Sequence, residues 1–542
     1  MTAGGRPATV ATGAAVGVLL AALVGVPLVA LVRGAAESGP GGIRAAFGAP
    51  GVGTAAGHTL AVALLVTVLA VAAGTALALA VERRPARIRT LYRILLASPL
   101  VIPEFVLAFA WSQAYGRAGL GDQLVGFAVP GLFGPAGIVL VLAAHGLPLA
   151  YLAVTAGLAA RVDPDLERAA RVAGADRWTV LRTITLPLLR VPLLAAGVLV
   201  FVSAVGSFAV PRVLGTPAGF ATMSTLVYSD LALSADPAAF TDLTVLALAM
   251  AVLVLVVVGV ADGRLGALRA TTPRYGSGGV RVSGSREGTA ALALVVGGFA
   301  TFAVAVPLAA VGLAALTAAP GLAPVPAHWT LAHFATAFQG PTAVALLHTL
   351  ALSIAAATLV PLLGGVLATA ARGGWRAPLT TAVTLAFAVP GSALAIGTMI
   401  GYGRWLTGSA AIILLAYLAK FWVLGHRPIQ AGRDRLAPDL VHAARVSGAG
   451  PAATVGTVVL PPLRVALLTA AGLAFLFASH ELTMSSILYG PGSETVAVVV
   501  LNQRDLGNVG ATAALAVVLT APVLLVAGLL LVAARAGRRG TG

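Results

Sequence analysis

The sequence predicts an all-α membrane protein of about 12 transmembrane helices, built as two parallel six-helix repeats. Three observations carry that prediction: an extremely apolar composition, a regular alternation of arginine blocks with apolar runs, and an ungapped internal repeat in the polar loops. Hydrophobic residues occupy 59% of the 542 positions and charged residues only 10%, giving a mean hydropathy of +0.99. A soluble domain carries about 25% charged residues. This chain lacks the polar surface to cover a water-facing globule, so lipid is the solvent for much of it.

A membrane-crossing helix needs roughly 20 apolar residues. Apolar runs that meet this need lie near 9–32, 58–82, 94–114, 135–159, 191–211 and 243–262. A second set lies near 290–315, 342–370, 378–401, 409–425, 465–482 and 511–534. The third and ninth runs are interrupted by Pro103 and Pro390. The first is longer than a usual signal core and is read as a retained helix.

Charge orients the runs. The formal net charge is +16, nearly all from arginine, with Lys420 the only lysine. Arginine blocks follow the second, fourth, sixth, eighth, tenth and twelfth runs, and the intervening loops hold few. Positive loops resist translocation, so this alternation places both termini in the cytoplasm. The same placement accounts for the basic charge without nucleic acid. With no cysteine, disulfide, iron–sulfur and thiolate–zinc chemistry are excluded. The segment 263–289 is rich in Gly, Ser and Arg and has no apolar period. It reads as a cytoplasmic linker between a first half, 1–262, and a second half, 290–542.

The halves match best where they are least apolar. Residues 164–190 and 438–464 align without gaps at a constant offset of 274 and share Pro-Asp-Leu, Ala-Ala-Arg-Val, Gly-Ala and Leu-Pro. Proline suits a first helical turn and an acid favours its positive end. Gly174 and Gly448 can stop the resulting short helix with a left-handed cap. Because both copies lie on the basic side, the halves are parallel repeats about an axis along the membrane normal.

The pattern resembles the EAA loop of ABC importer permeases. Its first copy is Glu167, Arg168, Ala169, Ala170, Gly174, Leu186 and Pro187. Its second is His442, Ala443, Ala444, Gly448, Leu460 and Pro461. The family's glutamate usually stands directly before the two alanines, where this chain has Arg168 and His442; Glu167 is one residue earlier, and Val441 holds that place in the second copy. The resemblance covers nearly the whole chain, as a fused two-half permease of the ferric iron, thiamine, polyamine or phosphonate type. His480-Glu481-Leu482-Thr483 and Gly206-Ser207-Phe208 are further cues to that group.

The resemblance implies that each loop is a coupling helix docking on a separate cytoplasmic ATPase, two copies in all. It also implies an extracytoplasmic solute-binding protein that meets the loops around 211–242 and 481–510, and a bacterial inner-membrane location. ATP and magnesium would sit on the ATPase, for no Gly-x-x-x-x-Gly-Lys-Ser/Thr loop occurs in this chain. No cofactor, metal site or catalytic constellation is expected. Ferric iron leads the substrate expectations, ahead of thiamine, a polyamine or a phosphonate.

Intramembrane charge is costly and marks candidate path residues. Glu104, after Pro103, either attracts a cation in the path or is a carboxylate near the outer interface or paired within the bundle. His145 either lines the path or titrates, or is a satisfied bundle residue hydrogen-bonded to a neighbour. Glu481 either meets the binding protein, gates the exit or serves a helix end. Tyr115, Tyr228 and Trp329 read as interfacial anchors. The rival function, an ion-gradient-driven secondary transporter with six-plus-six spans, fits the span count but leaves the repeated loop unexplained.

Overall fold

The computed structural model describes residues 5–233, 237–271, 289–370 and 376–539. In chain order the helices include α1 (Gly5–Leu20), α2 (Val26–Glu37), α3 (Val52–Val81), α4 (Ala86–Val101), α5 (Glu104–Tyr115) and α6 (Pro135–Arg161). Then follow α7 (Pro164–Val172), α8 (Arg177–Val180), α9 (Arg190–Gly206), α10 (Met223–Leu233) and α11 (Pro237–Thr271). The second half supplies α12 (Thr289–Ala300), α13 (Val306–Leu316), α14 (Gly340–Ala370), α15 (Arg376–Ala388), α16 (Gly391–Leu406) and α17 (Ala410–Arg433). It ends with α18 (Pro438–Val446), α19 (Leu460–Ser479), α20 (Thr483–Leu488), α21 (Val496–Asp505) and α22 (Val509–Arg539). Among the described residues there is no strand.

Nine of the described helical stretches are long and apolar enough to cross a membrane, and up to 12 if three bent pairs each count as one span. Two of those pairs lie at the interrupting prolines: α4 and the helical stretch beginning with α5 meet at 96°, and α15 and α16 at 105°. A proline removes one amide donor and clashes with the preceding turn, so carbonyls are freed at each bend. In lipid such groups need an internal partner. His145 Nδ1 donates to Pro99 O at 3.2 Å. Lys420 Nζ donates to Phe387 O at 3.2 Å and also to Val389 O. The third bend, 66°, separates Arg177–Leu188 from α9. Helix α11 continues to Thr271, so the expected linker is helical up to that point; 272–288 lie outside the described residues.

The chain divides into two compact units that do not follow the sequence halves. One comprises 1–43, 236–248 and 330–542; the other comprises 44–235 and 249–329. The opening helices of each half are therefore exchanged. Within the first unit α2 packs on α16, and within the second α13 packs on α5.

Each exchange is fastened in the same way. A π-helical turn, Ala21–Gly25, joins α1 to α2, and another, Thr301–Ala305, joins α12 to α13. A π-turn widens the helix and leaves carbonyls poorly paired. Tyr402 OH donates to Ala22 O at 2.6 Å in one unit, and Tyr115 OH donates to Phe302 O at 2.7 Å in the other. Trp111 Nε1 adds a bond to Ala303 O at 3.0 Å. Tyr115 is thus no interfacial anchor: it is 4% exposed because its hydroxyl has a backbone acceptor inside the protein. Tyr228 is also buried, between Phe208 and the Arg212 guanidinium. Trp329 is half exposed.

Close helix crossings complete each unit. In the first unit α14 crosses α17 at glycines: a Cβ at Gly364 would lie 2.3 Å from the Gly425 carbonyl carbon, and one at Gly425 would lie 2.1 Å from Val360 O. Small residues allow this approach where dispersion and not the hydrophobic effect drives helix association.

Candidate functional site

The repeated loop folds as expected locally. Asp163 caps α7 by accepting the Asp165 amide at 2.9 Å, with Pro164 in the first turn. The helix ends on Gly174 at φ +91°, and α18 ends on Gly448 at φ +83°. Ala175 N donates to Ala170 O at 2.9 Å, and Ala449 N to Ala444 O at 3.0 Å. This six-to-one bond over a left-handed residue is a Schellman cap. The second alanine of each pair supplies the capped carbonyl. No atom would touch a Cβ at either glycine, so the backbone angle and not space demands glycine there.

The two helices present matching surfaces. Arg168, Ala169 and Val172 are exposed on α7, and His442, Ala443 and Val446 on α18. Val172 and Val446 are each 90% exposed, leaving an apolar tip at the end of each helix. Arg168 pairs with Asp165 on the open face at 3.0 Å. Asp176 caps α8, and the Thr179 hydroxyl and amide hold its carboxyl below the usual carboxylate range. A π-helical turn follows in both copies, Leu181–Thr185 and Val455–Val459. Leu186 and Pro187 then form one half-buried turn before the bend into α9. Leu460 and Pro461 instead open the unbroken α19 and are exposed.

Glu167 points the other way. It is 8% exposed and accepts Arg83 NH2 at 2.9 Å and 3.2 Å on its two oxygens. Thr185 Oγ1 adds a third bond at 2.7 Å. The carboxylate therefore binds α7 to the carboxy end of α3 and to the π-turn behind it, and is not part of the exposed face. The second copy has Val441 and Val459 at the two corresponding positions and lacks this fastening. Beside it Glu82 is buried and accepts Arg93 Nε at 2.8 Å and Tyr151 OH at 2.7 Å. Arg83 and Arg93, read from sequence as part of a topological block, thus hold three helices together.

The path candidates take similar places in their own units. Glu104, first residue of α5, accepts the Ser207 hydroxyl just beyond α9. In the second half the carboxylate has changed sides. Gly391 replaces Glu104, and Glu481, 274 positions after Ser207, supplies the acid. Its oxygens accept the Met484 and Ser485 amides at 2.9 Å and 3.0 Å, serving the amino end of α20. His145 is half-buried on α6 and tied to Pro99 O. The structure brings Glu104 and Ser207 together. The segments 211–242 and 481–510 are not open loops. They hold α10, α20 and α21, though Asp236 lies outside the described residues.

One repeated feature escaped the sequence reading. His58-Thr59-Leu60-Ala61 near the start of α3 recurs as His348-Thr349-Leu350-Ala351 near the start of α14. Thr59 Oγ1 accepts the Met223 amide at 2.9 Å, and Thr349 Oγ1 accepts the Val496 amide at 2.8 Å. His58 Nδ1 donates to Ala221 O at 2.9 Å, and His348 Nδ1 to Glu494 O at 3.3 Å. Each His-Thr pair thereby holds the first turn of a short helix, α10 or α21. The tetrapeptide repeat was the available signal, hidden among apolar neighbours.

Comparison with known proteins adds family relationships. Residues 70–265 and 361–539 both match the family described as "Binding-protein-dependent transport system inner membrane component". A putative 2-aminoethylphosphonate transport system permease protein, PhnV of Salmonella typhimurium, is 28% identical over 208 residues, 37% of this chain and 78% of the relative. The molybdenum transport system permease protein ModB of Escherichia coli is 31% identical over 163 residues, 29% of this chain and 71% of the relative. A probable ABC transporter permease protein, y4fN of Sinorhizobium fredii, is 25% identical over 438 residues, 76% of this chain and 75% of the relative.

Proposed function

Because the chain belongs to the family of binding-protein-dependent transport system inner-membrane components, we propose that it is a fused two-half permease subunit of an ATP-driven ABC importer. It is a multi-pass inner-membrane protein and a transport component. In this reading α7 and α18 are coupling helices, each docking on one copy of a cytoplasmic ATPase. A solute-binding protein delivers substrate from the other side, to the segments around 211–242 and 481–510. In this reading both termini are cytoplasmic, a placement supported by the arginine alternation.

The observation that carries the reading is the equivalence of the two exposed helix surfaces, capped alike and tipped by Val172 and Val446. An apolar tip exposed to water on both copies suits a protein groove. ATP-driven approach of the two ATPases then moves the bundles that carry the helices. On substrate, a relative named for 2-aminoethylphosphonate transport favours a phosphonate over ferric iron, thiamine or a polyamine.

The test is co-expression with the ATPase subunit of the same transport system, followed by purification and reconstitution with its binding protein. The expected result is a stable complex with two ATPases per chain and ATP-dependent uptake of 2-aminoethylphosphonate. Uptake by the chain alone under an imposed proton or sodium gradient, without a bound ATPase, would instead establish the secondary-transporter reading.

A further inference from the structure

We infer that α3 is a transmission rod, clamped at one end to the coupling helix α7 and at the other to the short helix α10. The inference rests on the importer reading and assigns it two sets of positioning residues. Helix α3 runs unbroken for 30 residues and contains no proline, so at 1.5 Å per residue it spans about 45 Å. Such a length reaches from one membrane face to the other.

Both ends are fixed by polar bonds in an apolar setting. At the carboxy end Arg83 holds the Glu167 carboxylate, and Thr185 shares it. At the amino end Thr59 lies 5% exposed, donates to Ala55 O at 2.8 Å and accepts the Met223 amide. One hydroxyl thus continues the hydrogen bonding of α3 directly into the first turn of α10. His58 adds the bond to Ala221 O and stacks on Phe220 with ring centroids 3.8 Å apart. The contacts of the clamp and of the rod all lie within one compact unit.

A displacement of α7 by an ATPase is therefore delivered to α10 through one stiff element. Losing either clamp leaves a buried group without its partner. The second half repeats the His-Thr clamp at α14, whereas its coupling helix has Val441 in place of Glu167. The two halves are thus fastened unequally to their coupling helices.

The native chain has no cysteine, so a single reporter thiol can be read without background. Ser229→Cys places it on α10. The full chain is purified with its ATPase subunits, and maleimide labelling is compared before and after ATP with vanadate. The parent is expected to show a nucleotide-dependent change in labelling rate. Thr59→Val, which keeps shape and removes the hydroxyl, is expected to cut that change about tenfold. Thr59→Ser is expected to retain it, and Glu167→Gln at the far end to reduce it. Thr349→Val, in the other unit, is expected to leave it intact.

Thr59→Val responding like the parent, Thr59→Ser failing alongside it, or a parent with no response would each overturn the rod. If Thr59→Val does not accumulate, His58→Leu removes the other amino-end bond and is judged by the same criteria. A chain that retains no ATPase defeats the importer reading itself. A retained ATPase with an undiminished response in Thr59→Val defeats only the rod.

Discussion

Replacing Glu167 by alanine should loosen α7 and leave α18 untouched. The side chain makes three bonds, two to Arg83 and one to Thr185. Hydrogen bonds to a charged group contribute about 1.5–3 kcal/mol. Arg83 is 53% exposed, so water screens its share, and the ion pair falls in the range of about 0–1 kcal/mol. Thr185 is fully buried, and leaving its hydroxyl without an acceptor costs about 1–3 kcal/mol. Together these give a local loss of about 1–4 kcal/mol, or roughly 5- to 900-fold in the opening equilibrium of α7. Amide hydrogen exchange over 164–175, on the full chain in lipid nanodiscs, reads this directly. Val441→Ala serves as the control, since valine at the matching place in α18 has no ionic partner to lose. Unchanged protection of α7 in Glu167→Ala, or an equal effect from Val441→Ala on α18, would refute the fastening role.

Further outcomes follow from the same geometry. Gly174→Ala and Gly448→Ala force a Cβ into a left-handed backbone and should each cost about 1 kcal/mol at the cap, seen as faster exchange of the preceding turn. Gly174→Pro and Gly448→Pro, which cannot adopt positive φ, should abolish ATP-coupled uptake while membrane insertion persists; unchanged uptake in both would remove the caps from the mechanism. Tyr115→Phe and Tyr402→Phe each lose one bond to a π-turn carbonyl and should each cost about 1 kcal/mol. They share no partner, so thermal unfolding of the double variant should show additive losses. Gly425→Leu meets the Val360 carbonyl and should prevent recovery of folded protein in size-exclusion chromatography, whereas Gly528→Leu, with open space around it, should not.

Much of the fold was legible because lipid imposes a simple rule on sequence. Apolar runs must be long, and arginine must stay on one side. Pro103 and Pro390 mark the two sharpest of the three bends, because proline removes an amide donor and clashes with the preceding turn, although Pro148, Pro361, Pro428 and Pro522 lie within continuous helices. The caps of α7 and α18 were readable from Gly174 and Gly448 because a positive φ leaves few alternatives to glycine. The exchange of α1–α2 and α12–α13 was not readable. Alanine, leucine and valine faces fit many partners, and nothing in their order says which helix they meet. The direction of Glu167 was hidden too, because its partners Arg83 and Thr185 are 84 and 18 residues away. Arg83 looked like one more topological charge. The interfacial reading of Tyr115 failed because a π-turn carbonyl, invisible in sequence, gave its hydroxyl an internal acceptor.

The most direct measurement of the importer reading is cross-linking from the two exposed tips. Val172→Cys and Val446→Cys, each alone in the otherwise thiol-free chain, are treated with a short photoactivatable maleimide in the presence of the ATPase subunit. The account predicts that both positions attach to the ATPase with similar yield, and that the yield shifts when ATP and vanadate are added. Attachment from neither position, in membranes where the chain still carries out uptake, would contradict it.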